Sequence, residues 1–289
     1  SQLDSRKLSA LMTGHDVEFG VPENHIVADA APVLDMKHVK ASKVSDVTLR
    51  MQPGEVVGMS GLLGSGRTET ALTLFGLNAL TGGSIAIDGR SVTIRNPREA
   101  IANGIALVPE DRHHEGLFLD RNLLQNSAAS VLERISSKFG VVDVKQERRV
   151  GEDTLVNLQV NTRDLALLAQ SLSGGNQQKV LLGKWVATAP KLLILDSPTV
   201  GVDVGSKSQI YEIIRQLSSR GIAILVISDE EEELLAVCNR IAIFVQGAVT
   251  AELSGEQLKP GFSAIYRNAD RNGVGADDVT AHSTNKEVA

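Results

Sequence analysis

Between Val56 and Leu77 the chain changes character twice within a few residues, and this change limits its folding more than any other feature. An apolar, strand-like run, Val56 to Met59, enters a glycine-rich turn, Gly61-Leu62-Leu63-Gly64-Ser65-Gly66, and a helical pattern follows from Arg67 to Leu77. The turn matches the phosphate-loop pattern G-x4-G-K-[ST] except that Arg67 replaces lysine, and it lies between a strand and a helix as that pattern requires. The glycines let successive backbone N–H groups point into one concavity at a helix N-terminus, where the macrodipole favours an anion. Thr68 can offer its hydroxyl to Mg2+. Arg67 keeps the positive charge but is a planar fork rather than a compact ammonium, so its geometry at a phosphate differs. The plainer reading is a glycine turn that opens a helix.

Downstream of Ser171 the pattern alternates. Helices are predicted at Asn176–Ala187, Lys207–Ser219 and Glu230–Val237, with apolar strands at Leu192–Leu195, Ile222–Ile227 and Ile241–Val245. Continuous apolar strands separated by amphipathic helices predict an α/β fold with a buried, mostly parallel sheet. Upstream, Val47–Met51, Ser84–Ile87 and Ile105–Val108 read as further strands. Residues 113 to 170 instead show helical periodicity around Leu123–Ile135 and Lys145–Leu158, a candidate helical lobe. Residues 33–262 are therefore predicted as the main domain. Residues 1–32 are predicted as a helix (Leu3–Met12) plus a linker (Gly20–Pro32), and residues 263–289 as a mostly disordered tail.

Composition excludes several classes. Of the 289 residues 42% are apolar, enough for one sizeable core with a small lobe or for two small domains. Lys and Arg number 29 against 35 Asp and Glu, with no long basic block, so nucleic acid is not an expected partner. The single cysteine, Cys238, rules out an internal disulfide framework, fits a reducing compartment and reads as a small buried hydrophobe. No stretch approaches 18 consecutive apolar residues and no signal segment opens the chain, so attachment to a membrane is expected only through a partner. The chain begins at Ser1 without a methionine, which predicts a processed product or part of a longer polypeptide.

Two further motifs narrow the chemistry. Lys191-Leu192-Leu193-Ile194-Leu195-Asp196 is an apolar strand ending in a carboxylate, the layout that sets an Asp beside the Mg2+ of a phosphate-loop site; a helix-capping Asp is the alternative. Leu172-Ser173-Gly174-Gly175-Asn176-Gln177-Gln178 opens a helix and precedes Asp196. In this order the three motifs resemble those of ATP-binding cassette (ABC) domains. With Val108-Pro109-Glu110-Asp111-Arg112 and Gly201-Val202-Asp203-Val204-Gly205, they look like the second cassette of the tandem ATPases of bacterial ribose, galactose and arabinose importers. The resemblance covers about residues 33–260, and residues 1–20 resemble the last helix of a preceding cassette.

The resemblance implies a P-loop NTPase core of the ABC type, with an antiparallel β portion and an inserted helical lobe over about residues 113–175. It implies ATP and Mg2+ as cofactors. Gly61, Gly64, Ser65, Gly66, Arg67, Thr68, Glu69 and Glu110 would surround the nucleotide, with Thr68 and Asp196 on the metal. Ser173, Gly174 and Gly175 would be presented in trans to the γ-phosphate held by a second cassette. An integral membrane permease and, indirectly, a periplasmic solute-binding protein are the further implied partners, at the cytoplasmic face of the bacterial inner membrane. Ser197 occupies the position of the family's water-orienting glutamate and Asp229 that of its switch histidine, so neither is expected to be active. An ionised Asp229 about 4 Å from a γ-phosphate would repel it by about 1–4 kcal/mol before metal screening. The acidic run Asp229–Glu233 is otherwise expected to point mostly to solvent. No aromatic residue lies between Phe19 and Phe75 to stack on adenine, leaving aliphatic contacts or His38. His113 and His114 are expected to be exposed rather than metal ligands. Three readings stay open: a cassette that binds ATP and serves a partner's active site, a fully active ATPase, and a structural module without turnover.

Overall fold

Four runs of branched and apolar side chains form the strands buried on both faces: β3 (Val56–Gly61), β6 (Ile105–Val108), β7 (Leu192–Asp196) and β8 (Ala223–Ile227). They belong to a ten-stranded sheet with β1 (Leu34–Ala41), β2 (Val44–Met51), β4 (Gly82–Ile87), β5 (Arg90–Val92), β9 (Arg240–Val245) and β10 (Ala248–Ser254). The order is β5-β4-β1-β2-β10-β9-β3-β8-β7-β6. β3 pairs in parallel with β8 and β9, and β7 with β8, whereas β1 pairs antiparallel with β2 and β4, β4 with β5, and β10 with β9; β10 meets β2 in parallel at Ala248 and Asp46. β2 shows why: Val44, Val47, Leu49 and Met51 are buried while most of the residues between them are exposed, the alternation of a sheet with one wet face.

This computed structural model describes residues 25–27 and 30–265. The predictions at Leu3–Met12, along most of Gly20–Pro32 and over residues 266–289 lie outside that range, whereas residues 263–265, expected to begin the disordered tail, are described and Ser263 is buried. Among the described residues two compact units are distinguished. One holds the sheet and comprises residues up to Leu107, Pro190–Ser197 and residues from Leu217 on; the other comprises Val108–Ala189 and Pro198–Gln216.

In the sheet unit, α1 (Arg67–Leu74) follows β3 directly, and α2 (Pro97–Ala102) starts with Pro at its first position and an Asn96 cap on the Glu99 N–H. A further helix, α7 (Glu231–Val237), follows β8. The acidic run there meets expectation at Asp229, Glu230 and Glu232, which are exposed, and departs from it at two residues. Glu233 is buried, and Glu231 accepts hydrogen bonds from the Gly261 and Phe262 N–H groups and the Ser263 hydroxyl, so these carboxylates serve the fold rather than facing water. Cys238 is fully buried beneath Gly58, and burial, with Glu233 nearby, pushes its thiol pKa well up.

In the helical unit, α3 (Leu123–Ala128) opens with a capping box between Asn122 and Gln125, and α4 (Val144–Asn157) is capped by Asp143. α5 (Gly174–Val186) and the greater part of α6 (Val204–Ser219) complete it. The helix expected over Leu123–Ile135 stops early and tightens into a 3-10 turn at Ala129–Val131. There Ser130 and Arg134 donate to the Lys184 and Ala187 carbonyls at the end of α5. Ala128, Val131 and Ile135 form a small core with Val142, Val150 and Ala187 around it.

Candidate nucleotide-binding site

The register of the parallel strands decides which loops meet. Ile227 of β8 is opposite Met59 of β3 on one side and Asp196 of β7 on the other. The chain therefore leaves all three strands at one level, bringing Gly61–Thr68, Asp196-Ser197 and Ser228-Asp229 to the same C-terminal edge, where open α/β sheets place their ligands.

The phosphate loop is held by two hairpin turns of its own unit. The Gly247 N–H donates to the Ser65 carbonyl (2.8 Å), and the Ser45 N–H donates to the Gly247 carbonyl (2.8 Å). Gly66 has φ +101°, and a Cβ there would lie 2.6 Å from the Lys43 carbonyl oxygen and 3.0 Å from the Gly247 Cα. Gly64 (φ +78°) also takes a left-handed conformation that favours glycine. Thr68 is exposed in the first turn of α1, and the carboxylate of Glu69 pairs with Lys43 (3.0 Å). Beside the loop lies a cavity of about 200 Å3 lined by Leu62 to Ser65 and Phe244 to Gln246. His38 does not reach toward it by any hydrogen bond. Its ring is exposed and bonded to Asp46 (3.1 Å).

Arg67 does something the sequence did not reveal. Its side chain is only 7% exposed and its fork is spent on the protein. Nε donates to Ser65 Oγ (3.2 Å), Nη1 to the Ser228 carbonyl (3.1 Å), and Nη2 to both the Leu62 carbonyl (3.3 Å) and Asp229 Oδ1 (2.6 Å). The two departures at positions 67 and 229 are thus partners 162 residues apart, each supplying the charge that the other needs. Asp196 closes β7 and is nearly buried. Ser197, half-buried, takes φ +49°, unusual for a residue with a Cβ, and is held there by its N–H on the Ile227 carbonyl (2.8 Å). Its hydroxyl lies 3.5 Å from Asp196 Oδ1, at the limit of a hydrogen bond.

The helical unit carries the remaining expected residues. Ser173 caps α5 by position, but its hydroxyl accepts from Asn176 Nδ2 (3.0 Å) rather than from the helix backbone, and the first turn of α5 has no acidic residue. The positive end of the helix is left open to an anion. Glu110 is exposed in the segment after β6. His113 and His114 are also exposed, and among the described residues no group of three or more His, Cys, Asp or Glu is arranged to hold a metal. Hydrogen bonds from the His114 ring and backbone keep the Asp111 carboxyl below its usual pKa. Lys184 is buried, donates to the Gly116 carbonyl (2.8 Å) and lies over the Phe118 and Trp185 rings; burial lowers its pKa. Nothing in the spacing of the sequence singled out this lysine.

Residues 44–200 match the family model described as ABC transporter. The chain belongs to the ABC transporter family. Among its relatives, a ribose import ATP-binding protein of Chelativorans sp. (strain BNC1) is 42% identical over 244 residues, 84% of this chain and 48% of the relative. A putative ribose/galactose/methyl galactoside import ATP-binding protein of Rhizobium etli is 39% identical over 88% of this chain and 48% of its own length. This ABC-family chain thus spans about half the length of the curated relatives it matches. Among solved structures, a nucleotide-free ATP-binding cassette from an ABC transporter superposes with a TM-score of 0.70 at 21% identity, covering 78% of this chain and 93% of that one. A dimeric cassette in a post-hydrolysis state, bound to ADP and Pi, gives 0.64 at 20% identity, covering 78% and 99%. These likenesses establish the shared fold.

Proposed function

We propose that this chain is one nucleotide-binding cassette of a bacterial ABC importer for a sugar. It holds Mg2+-ATP at its own phosphate loop with slow turnover and lends Ser173–Gly175 to the active site of a second cassette. The observation that carries this reading is the commitment of Arg67 to Leu62, Ser65, Ser228 and Asp229, together with a serine at position 197. The phosphates are then held by the N–H groups of Gly61–Thr68 and the dipole of α1 rather than by a free cation. No carboxylate follows Asp196 to orient a water, and losing such a base typically lowers a rate by about 10²–10⁴.

The Thr68 hydroxyl and the Asp196 carboxylate, both hard oxygen donors on the same edge of the sheet, would hold Mg2+. Bound there, the ion would supply positive charge to offset that of the phosphates. Glu69, in the first turn of α1, belongs to the same proposed site. The import function follows the names of the relatives, and the second cassette is either covalently joined or homologous. Among the described residues no helix is long and apolar enough to cross a membrane, so the proposed place at the cytoplasmic face of the inner membrane depends on a permease, with a periplasmic solute-binding protein as an indirect partner.

The test is the ATPase rate of the assembled complex, permease and partner cassette included, carrying Ser173→Arg to obstruct the donated turn. Collapse of the rate places the productive site on the partner. Persistence of the rate means that this chain's own site turns over and the reading fails. Absence of Mg2+-ATP binding to this chain at millimolar nucleotide would favour a structural module instead.

A further inference from the structure

The segment after β6 contains an arginine that neither the phosphate loop nor the metal site uses. Arg112 begins a single π-type turn, Arg112–Gly116, closed by the Leu117 N–H on the Arg112 carbonyl (2.8 Å) and capped by the Asp111 carboxylate. From this fixed backbone its fork reaches two distant segments of the helical unit. Nη1 donates to the Val200 carbonyl (2.7 Å), Nη2 to the Gly201 carbonyl (3.3 Å), and Nε to Gln177 Oε1 (3.3 Å). Gln177 lies in the first turn of α5; its amide donates to the Ala169 carbonyl (3.1 Å), and His113 Nε2 donates to the same Oε1 (3.1 Å).

Steric contact between the two segments points the same way. A Cβ on Gly174 would lie 3.0 Å from the Gly201 carbonyl oxygen and 3.1 Å from Arg112 Nη2. One on Gly175 would lie 2.2 Å from Ser206 Oγ. Ser206 is itself fixed, its N–H and hydroxyl both donating to the Asp203 carboxylate, which these bonds keep below its usual pKa. The turn at Ser173–Gly175 and the turn at Val200–Asp203 therefore touch through glycine backbone, with the Arg112 fork across the seam.

We propose that Arg112 is a positioning residue that locks the Ser173–Gly175 turn to the Val200–Asp203 turn, so that both are presented to the partner cassette as one rigid piece. The role needs a planar group with donors in three directions, because its acceptors are two successive carbonyls and a side-chain amide oxygen. A lysine ammonium keeps the charge but cannot span these acceptors in one geometry. The consequence for function rests on the proposed donation of Ser173–Gly175 in trans; the coupling of the two turns does not.

Two measurements separate these. Amide hydrogen exchange on the isolated full chain, comparing the wild type with Arg112→Lys and Arg112→Ala, reads the lock alone. The expected result is faster exchange at residues 174–178 and at 200–204 together, by about tenfold in both variants, with Gly61–Thr68 unchanged. Loosening of only one turn, of neither, or restoration of wild-type protection by lysine overturns the proposal. In the assembled complex both variants are expected to lower kcat for ATP about tenfold or more while KM stays within about twofold. An unchanged kcat, in a complex where Ser173→Arg abolishes activity, refutes the functional consequence. Activity that survives Ser173→Arg refutes the trans reading and leaves the lock to the exchange data.

Discussion

Replacing Asp229 with asparagine separates two effects that ordinarily move together. In the native chain Asp229 Oδ1 accepts from Arg67 Nη2 at 2.6 Å, but the two side chains differ in exposure, 7% for the arginine and 68% for the aspartate. Solvent on the carboxylate screens the pair, so its worth is nearer to about 1 kcal/mol than to the several kcal/mol of a fully buried ion pair. Asparagine keeps an acceptor at the same position and removes the charge. Unfolding stability of the isolated chain, measured by urea denaturation, is expected to fall by about 0.5–1 kcal/mol. Mg2+-ATP affinity, measured by titration with a fluorescent analogue, is expected to change in the other direction. With Asp229 neutral, repulsion of the γ-phosphate disappears and the Arg67 charge, its fork still held by Ser65, Ser228 and Leu62, is no longer offset beside it. A gain of about 1 kcal/mol corresponds to roughly fivefold tighter binding. ADP, which lacks the γ-phosphate, should gain less. If Asp229→Asn weakens both stability and ATP binding, Arg67 is only a brace for the loop, and the idea that Asp229 offsets its charge beside the phosphate is wrong.

Three further outcomes follow from the geometry. Gly66→Ala places a Cβ at 2.6 Å from the Lys43 carbonyl oxygen in a left-handed conformation, so it should cost about 2–4 kcal/mol in urea denaturation and abolish nucleotide binding; a stable variant with normal affinity would contradict the packing described. Lys184 has its pKa lowered by burial in the folded state, so between that value and its ordinary 10.5 the unfolded chain binds the extra proton. Stability relative to Lys184→Met should therefore rise with pH through this window and level off above it; a flat or falling difference would refute burial as the cause. Cys238, the single cysteine, should resist maleimide in the folded chain and react at the rate of global unfolding in denaturant, whereas rapid native labelling would contradict its enclosure.

The sequence carried the parallel half of the sheet plainly, because strands such as Leu192–Asp196, up to its terminal carboxylate, and Ala223–Ile227 are buried on both faces and read as continuous apolar runs. It carried β1 poorly. Asp35, Lys37, His38 and Lys40 interrupt the apolar residues, and only pairing with both β2 and β4 makes Leu34, Met36 and Val39 an inward row. Helix α2 escaped notice because six residues with a proline at the start show no period. The same distinction holds in the site. Gly61–Thr68 and Ser173–Gly175 are local patterns, set by backbone conformation within a few residues. Arg67 with Asp229, and Arg112 with Gln177 and Gly201, join positions 65 to 162 residues apart, and such pairings have no spacing to be read. Asp229 could be recognised as a displaced histidine, but that it answers the arginine at 67 required the register that brings β3 and β8 side by side.

Hairpin turns are ordinarily the places where a chain accepts extra residues with little consequence. The turns at Lys43 and Gly247 are exceptions, since both lean on the backbone of Ser65 and Gly66. An epitope tag, a fluorescent reporter or a linker inserted at either turn would leave the strands paired and yet deform the phosphate cradle. The turn at Asp88-Gly89, between β4 and β5, makes none of these contacts with the phosphate loop: the Asp88 carboxylate pairs instead with Lys191, and a Cβ at Gly89, though strained at φ +71°, would meet nothing within 4 Å. That is the turn at which this cassette can be labelled or spliced without touching its nucleotide.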